Sequence, residues 1–168
     1  EVGLAISNYT DPFLAFDFMR YLGNSVFVTV MATLLTLLTN SMAAFALSKY
    51  RFKGRDAVML LIVATLMVPL SVILVPLYSV VSTVGLLNSL WSLIVNSTLV
   101  AYNVVIVRSY FQSIPQSVVE SARIDGANDY LILFKLIIPL SKPVLATVAL
   151  WVIVGHWNDY LNSLLFLS

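Results

Sequence analysis

The sequence predicts an all-α, polytopic bundle of membrane-crossing helices, and three observations lead there. The 168 residues are 60% hydrophobic and 10% charged, against about 25% charged in an average soluble domain. No charge occurs in the 28 residues between Arg20 and Lys49, nor in the 51 between Asp56 and Arg108. Both stretches exceed the roughly 20 residues that a helix needs to cross a bilayer. The basic residues gather in the short segments around these stretches and do not line one face.

The first apolar stretch makes one span, over residues 24–47. At about 1.5 Å per residue the second stretch would make a helix of roughly 77 Å, more than twice the hydrocarbon thickness, so it must fold back. The break is expected at residues 82–88, where Gly85 and Asn88 interrupt the apolar run. That places spans at 57–78 and 89–107. A fourth, at 141–160, is completed at its ends by polar residues, with Lys142 snorkelling to the interface. Arg20 precedes the first span. Lys49, Arg51, Lys53 and Arg55 fall between the first and second, and Arg108, Arg123, Lys135 and Lys142 between the third and fourth. Eight of nine basic residues thus share a side, which the positive-inside rule assigns to the cytoplasm. Residues 1–23 and 161–168 are then external, around a membrane domain at 24–160 with a cytoplasmic loop at 108–142. The chain opens on Glu1 without a basic segment leading into a short apolar run, so it is expected to be a fragment with no signal peptide.

Residue content excludes several chemistries. With no Cys and one His, thiol nucleophiles, disulfides and Cys/His metal clusters are out of reach. No HExxH, paired Asp or Ser-His pair with an orienting acid suggests an intramembrane enzyme, and no GxxxxGK[ST] loop offers a nucleotide site. We therefore expect no catalytic residue, no metal ligand and no nucleic-acid partner. A secondary transporter is the main rival, but such carriers often place ionisable side chains near the midplane, and none lies near the middle of a predicted span. Thr36, Asn40 and Ser41 in the first span and Asn96 and Asn103 in the third must face protein or water. Asn40, Asn96 and Asn103 are accordingly candidates for the solute path, with helix packing the alternative. Pro69 and Pro76 are expected to kink the second span. His156, Trp91, Trp151, Tyr78 and Tyr160 suit interfacial anchors.

The loop at 108–142 is too long for a turn and too patterned for a linker. Pro115 suits a first helical turn, and a helix from it to about Asp125 would end at Gly126. Asn128 or Asp129 can cap a second helix that runs until Pro139 interrupts it. The plain alternative is an amphipathic connector lying on the membrane.

Glu120-Ser121-Ala122, Asp125-Gly126-Ala127 and Ile138-Pro139 resemble the Glu-Ala-Ala loop of ATP-binding-cassette (ABC) importer permeases, whose pattern is EAA, three residues, G, nine residues, I-x-L-P. Ser121 replaces the middle Ala, and Leu136 and Ile138 stand where Ile and Leu are usual. From about Phe16 onward, RYLGNS, FALSKYRFKG, VPLY and WNDYL are similar to the maltose-type carbohydrate permeases. GHWN and PLSKP are most similar to the lipoprotein-associated LplC-like branch, thought to move oligosaccharides, some of them uronate-containing. The resemblance implies six spans, of which four are visible, in a bacterial or archaeal cytoplasmic membrane. It implies a separate ATPase dimer that binds ATP and Mg, so that this chain needs no cofactor. A second permease, an extracytoplasmic solute-binding protein and a sugar complete the expected partners. Glu120, Ser121, Ala122, Asp125, Gly126, Ala127 and Pro139 would form the loop that couples to the ATPase.

Overall fold

A computed structural model of the protein describes residues 17–167, so the expectations for residues 1–16 and for Ser168 lie outside the described residues. Helix α1, Phe18–Lys49, has 32 residues, roughly 48 Å at 1.5 Å per residue. Its buried side is a ladder at every fourth position, Val28, Ala32, Thr36, Asn40 and Ala44, flanked by Thr29, Thr33, Ser41 and Phe45. Its exposed side carries Val30, Leu34, Leu38 and Met42. Small and polar residues inside with large apolar ones outside is the arrangement of a helix whose solvent is lipid. Small residues let neighbouring backbones approach, and hydroxyls and amides find partners across the interface.

The continuous second span expected at 57–78 is corrected to two helices, α2 (Arg55–Thr65) and α3 (Leu70–Thr83). Pro69 has φ −62° and ψ 139°, and its ring disfavours helical geometry at the residue before it. It therefore breaks the helix instead of kinking it. Pro76 is accommodated inside α3. The turn expected at 82–88 is present. Gly85 has φ +74°, with its N–H bonded to Ser82 O and the Leu86 N–H to Val81 O, both at 3.0 Å, a Schellman ending for α3.

The third span is also divided, into α4 (Leu90–Asn96) and α5 (Ala101–Ser113), bent by 45° across residues 97–100. Helix α6 (Gln116–Ile124) and helix α7 (Asp129–Ile132) follow. A π-helical turn (Leu133–Ile137) leads into the short α8 (Ile138–Leu140), then α9 (Lys142–Trp157) and α10 (Tyr160–Phe166). Pro139 does not interrupt the second loop helix as expected. The wider π turn before it absorbs the missing N–H and the ring clash that proline imposes on the preceding turn. The chain bends by 83° at Ser141 instead.

Among the described residues α1 alone is long and apolar enough to cross a membrane, or up to three segments are if each bent pair counts as one span. Helix α1 packs most extensively on α5 and α9, then on α4. Two apolar clusters form at its ends. Val28, Val81, Leu93, Ile94 and Phe166 make one. Ala44, Phe45, Val107, Phe111, Val119, Ile132, Ile137 and Val148 make the other, which seats the loop helices against α1, α5 and α9.

Candidate functional site

The loop from Arg108 to Lys142 folds into a mounted helix. Pro115 precedes α6 with φ −57° and extended ψ, where its missing N–H costs nothing. Val119 is fully buried, and Ala122 and Ala127 pack partly buried against the same cluster. Gln116, Glu120 and Ile124 recur at every fourth position and are exposed, Ile124 at 87%. Helix α6 thus binds its own chain by one side and offers a carboxylate and a large aliphatic side chain on the other. Ser121 and Asp125 are also exposed.

Gly126 ends this helix at φ +85°. Its N–H bonds to Arg123 O at 3.0 Å and the Ala127 N–H to Ala122 O at 2.9 Å, the same Schellman pattern as at Gly85. Asn128 then caps α7, its Oδ1 accepting from the Leu131 N–H at 2.9 Å. Pro139 lies exposed in α8 beyond the π turn.

Four polar contacts fasten the loop. Arg123 Nη2 donates to Asp129 Oδ1 at 3.0 Å, and its guanidinium lies 5.2 Å from the centroid of the Tyr50 ring. Tyr50 in turn meets Phe45 edge to face at 5.6 Å. The Tyr50 hydroxyl above all, and then the Arg123 guanidinium, hold the Asp129 carboxyl below its ordinary range against the opposing effect of burial. Lys49 Nζ, buried, donates to Ile114 O at 2.6 Å, pinning the residue that leads into Pro115. Arg108 Nε donates to Leu47 O at 3.2 Å and satisfies one of the unpaired carbonyls at the end of α1. Sequence reasoning used Lys49 and Arg108 only as markers of sidedness and gave Tyr50 no role. Their partners lie 61 to 73 residues away in sequence, so no local signal marked these contacts.

The three solute-path candidates sit in different surroundings. Asn40 is buried and committed: its Nδ2 donates to Thr36 O at 2.6 Å and to Thr98 O at 3.1 Å, and its Oδ1 accepts from the Val100 N–H at 3.2 Å. Thr36 Oγ1 adds a bond to Ser97 O at 2.8 Å, and Thr39 Oγ1 donates to Thr98 O. These side chains satisfy the backbone exposed by the break between α4 and α5, which hydrocarbon could not. Asn96 is exposed at the end of α4. Asn103 is buried and borders an open cleft of about 310 Å³ with Tyr102, Trp151 and His156. Among the described residues no group of three or more His, Cys, Asp or Glu could hold a metal ion.

The family model described as "Binding-protein-dependent transport system inner membrane component" matches residues 37–168. Among similar proteins, the polygalacturonan/rhamnogalacturonan transport system permease protein YtcP of Bacillus subtilis is 42% identical over 86% of this chain and 50% of its own. Protein LplC of the same organism is 36% identical over 90% of this chain and 50% of its own. The chain spans about half the length of these relatives. A crystal structure of a bacterial ABC transporter involved in the import of the acidic polysaccharide alginate superimposes with a TM-score of 0.81. It is 35% identical and covers 87% of this chain and 51% of its own.

Proposed function

Because this chain belongs to the family of binding-protein-dependent transport system inner membrane components, we propose that it is the membrane-spanning part of one permease subunit of an ABC importer for oligosaccharides, including uronate-containing ones. Its partners in this reading are an ATPase dimer that binds ATP and Mg, a second permease and an extracytoplasmic solute-binding protein. The membrane is the bacterial cytoplasmic membrane, crossed several times, with residues 108–142 facing the cytoplasm. The chain is a transport component and not an enzyme. The names of two relatives, one for polygalacturonan and rhamnogalacturonan and one for alginate, support an acidic saccharide as solute.

The observation that carries this reading is the mounting of α6. An amphipathic connector would lay its apolar side on lipid, whereas the buried side of α6 sits on its own chain at Val119 and Ala122. Its outward side, with Glu120 and Ile124, is left for a partner. Closure of the ATPase dimer would move α6 as a body. Lys49 to Ile114, Arg123 to Asp129 and the Val119 cluster would pass that displacement to α1, α5 and α9. No ATP chemistry belongs to this chain.

Deletion of the gene tests the reading directly. Uptake of one class of oligosaccharide should disappear and return with the intact gene. Unchanged growth on every oligosaccharide, together with lost uptake of an amino acid or peptide, would refute the saccharide assignment.

A further inference from the structure

In the proposed orientation, the extracytoplasmic end of the chain holds a cleft that coupling does not use. It measures about 520 Å³ and lies between the first turns of α1, the start of α4 and the junction of α9 with α10. Small-ligand sites span roughly 300–1,000 Å³. Arg20, Asn24, Asn88, His156, Trp157 and Ser163 are among its lining residues. Arg20 makes no salt bridge among the described residues, where the two pairs are Arg55 with Asp56 and Arg123 with Asp129. Asp159, the acid that borders the same cleft, is already engaged. Its Oδ1 accepts from the Asn162 N–H at 3.1 Å and its Oδ2 from Asn162 Nδ2 at 2.9 Å, which caps α10. One cation therefore faces the cleft without an ion-pair partner among the described residues, beside uncharged amides, a hydroxyl and an indole, while the Asp159 carboxylate at the cleft's border is held in the cap of α10.

The positive-inside rule gives no reason for Arg20 to be there, since the other eight basic residues collect at the opposite end. The lining chemistry does. An arginine fork matches a single carboxylate. Amides and hydroxyls both donate and accept, as a ring of sugar hydroxyls requires, and an exposed indole offers an apolar face with a polar edge. We propose that this cleft is an entry site for a carboxylated sugar residue, with Arg20 pairing with its carboxylate, Asn24, Asn88 and Ser163 meeting its hydroxyls, and Trp157 covering one face of the ring. The proposal rests on the importer reading above and deepens it by assigning the acidic sugar to residues of this chain.

The test uses the complete importer, with its partner subunits and solute-binding protein, reconstituted in vesicles. Trigalacturonate and its full methyl ester are the probes, because they differ in charge and hardly in shape. In Arg20→Gln the ratio of acid to ester uptake should fall about tenfold, in line with loss of one hydrogen-bonded charge pair. Arg20→Lys should recover part of it. Equal loss of both probes, or no loss, would overturn the site. A loss seen in phosphatidylglycerol vesicles but absent in phosphatidylcholine would assign Arg20 to an anionic lipid headgroup and overturn it as well. An unsubstituted importer that moves neutral oligosaccharides but not trigalacturonate would overturn the site and leave the importer reading standing. One that moves no saccharide would end both.

Discussion

Asn40 and Val100 are joined across 60 residues by one hydrogen bond of 3.2 Å, the side-chain carbonyl of α1 taking the free N–H at the start of α5. The same amide donates to Thr98 O, so a single side chain serves both sides of the break between α4 and α5. Asn40→Leu keeps the branching and heavy-atom count of the side chain and removes both bonds. With buried polar groups costing about 1–3 kcal/mol when left unpaired, it should lower the melting temperature of the purified complex and reduce yield. A solute contact at Asn40 would behave differently, with stability kept and uptake changed. Thermal unfolding beside vesicle transport separates the two.

Orientation follows from the basic residues and can be checked residue by residue. These 168 residues contain no cysteine, so none of them adds background to a single introduced cysteine. An impermeant thiol reagent added to intact cells should label Leu86→Cys and leave Lys53→Cys untouched until the membrane is opened. The reverse pattern would invert the arrangement and move the loop of α6 outside.

The Arg123–Asp129 pair is exposed, and such pairs are worth about 0–1 kcal/mol, so its role is geometric. The Asp129 carboxyl is held below its ordinary range, first by the Tyr50 hydroxyl and then by Arg123. A depressed folded-state value means that the stabilisation is complete above the unfolded value and is lost as pH falls through the folded one. Attachment of the loop should therefore be constant from about pH 8 to 5 and weaken only in stronger acid. Asp129→Asn should remove that acid limb while Tyr50→Phe shifts it upward. Protease nicking of the loop measured against pH reads both.

What the sequence disclosed and what it withheld divide along physical lines. Glycine and asparagine act locally, so the turn at Gly85 and the end of α6 at Gly126 could be read directly, and the cap of α7 could be narrowed to Asn128 or Asp129, of which Asn128 serves. Two features of helix continuity were not readable. Residues 97–100 contain neither Pro nor Gly, and the break there exists only because Thr36, Thr39 and Asn40, distant in sequence, supply its hydrogen bonds. Pro139 reads as a helix stop, yet a π turn of five residues carries the helix past it. The mounting of the loop was hidden for the same reason. Lys49 and Tyr50 look like members of a basic flank until the fold brings Ile114 and Arg123 to them.

Gly126 gives the sharpest test of the coupling role, because the structure separates two costs that usually arrive together. A Cβ built on Gly126 meets nothing within 4 Å, so a side chain there costs only the backbone strain of φ +85°, roughly 1–2 kcal/mol for an ordinary residue. Asparagine tolerates that region better than alanine, and a β-branched residue worse. ATPase attachment and uptake should accordingly fall in the order Gly126→Asn, Gly126→Ala, Gly126→Val, with the membrane segments still inserted. Gly85 supplies the control. It ends α3 with the same hydrogen-bond pattern at φ +74°, and its Cβ position is equally open. Gly85→Val therefore carries a similar backbone penalty at the other end of the bundle. If α6 is the coupling element, Gly126→Val should weaken copurification of the ATPase and substrate-stimulated ATP hydrolysis together, while Gly85→Val lowers thermal stability by a similar amount and leaves the ATPase bound. Equal effects of the two valines on ATPase attachment would reduce Gly126 to a stability residue and remove the case for coupling through this turn.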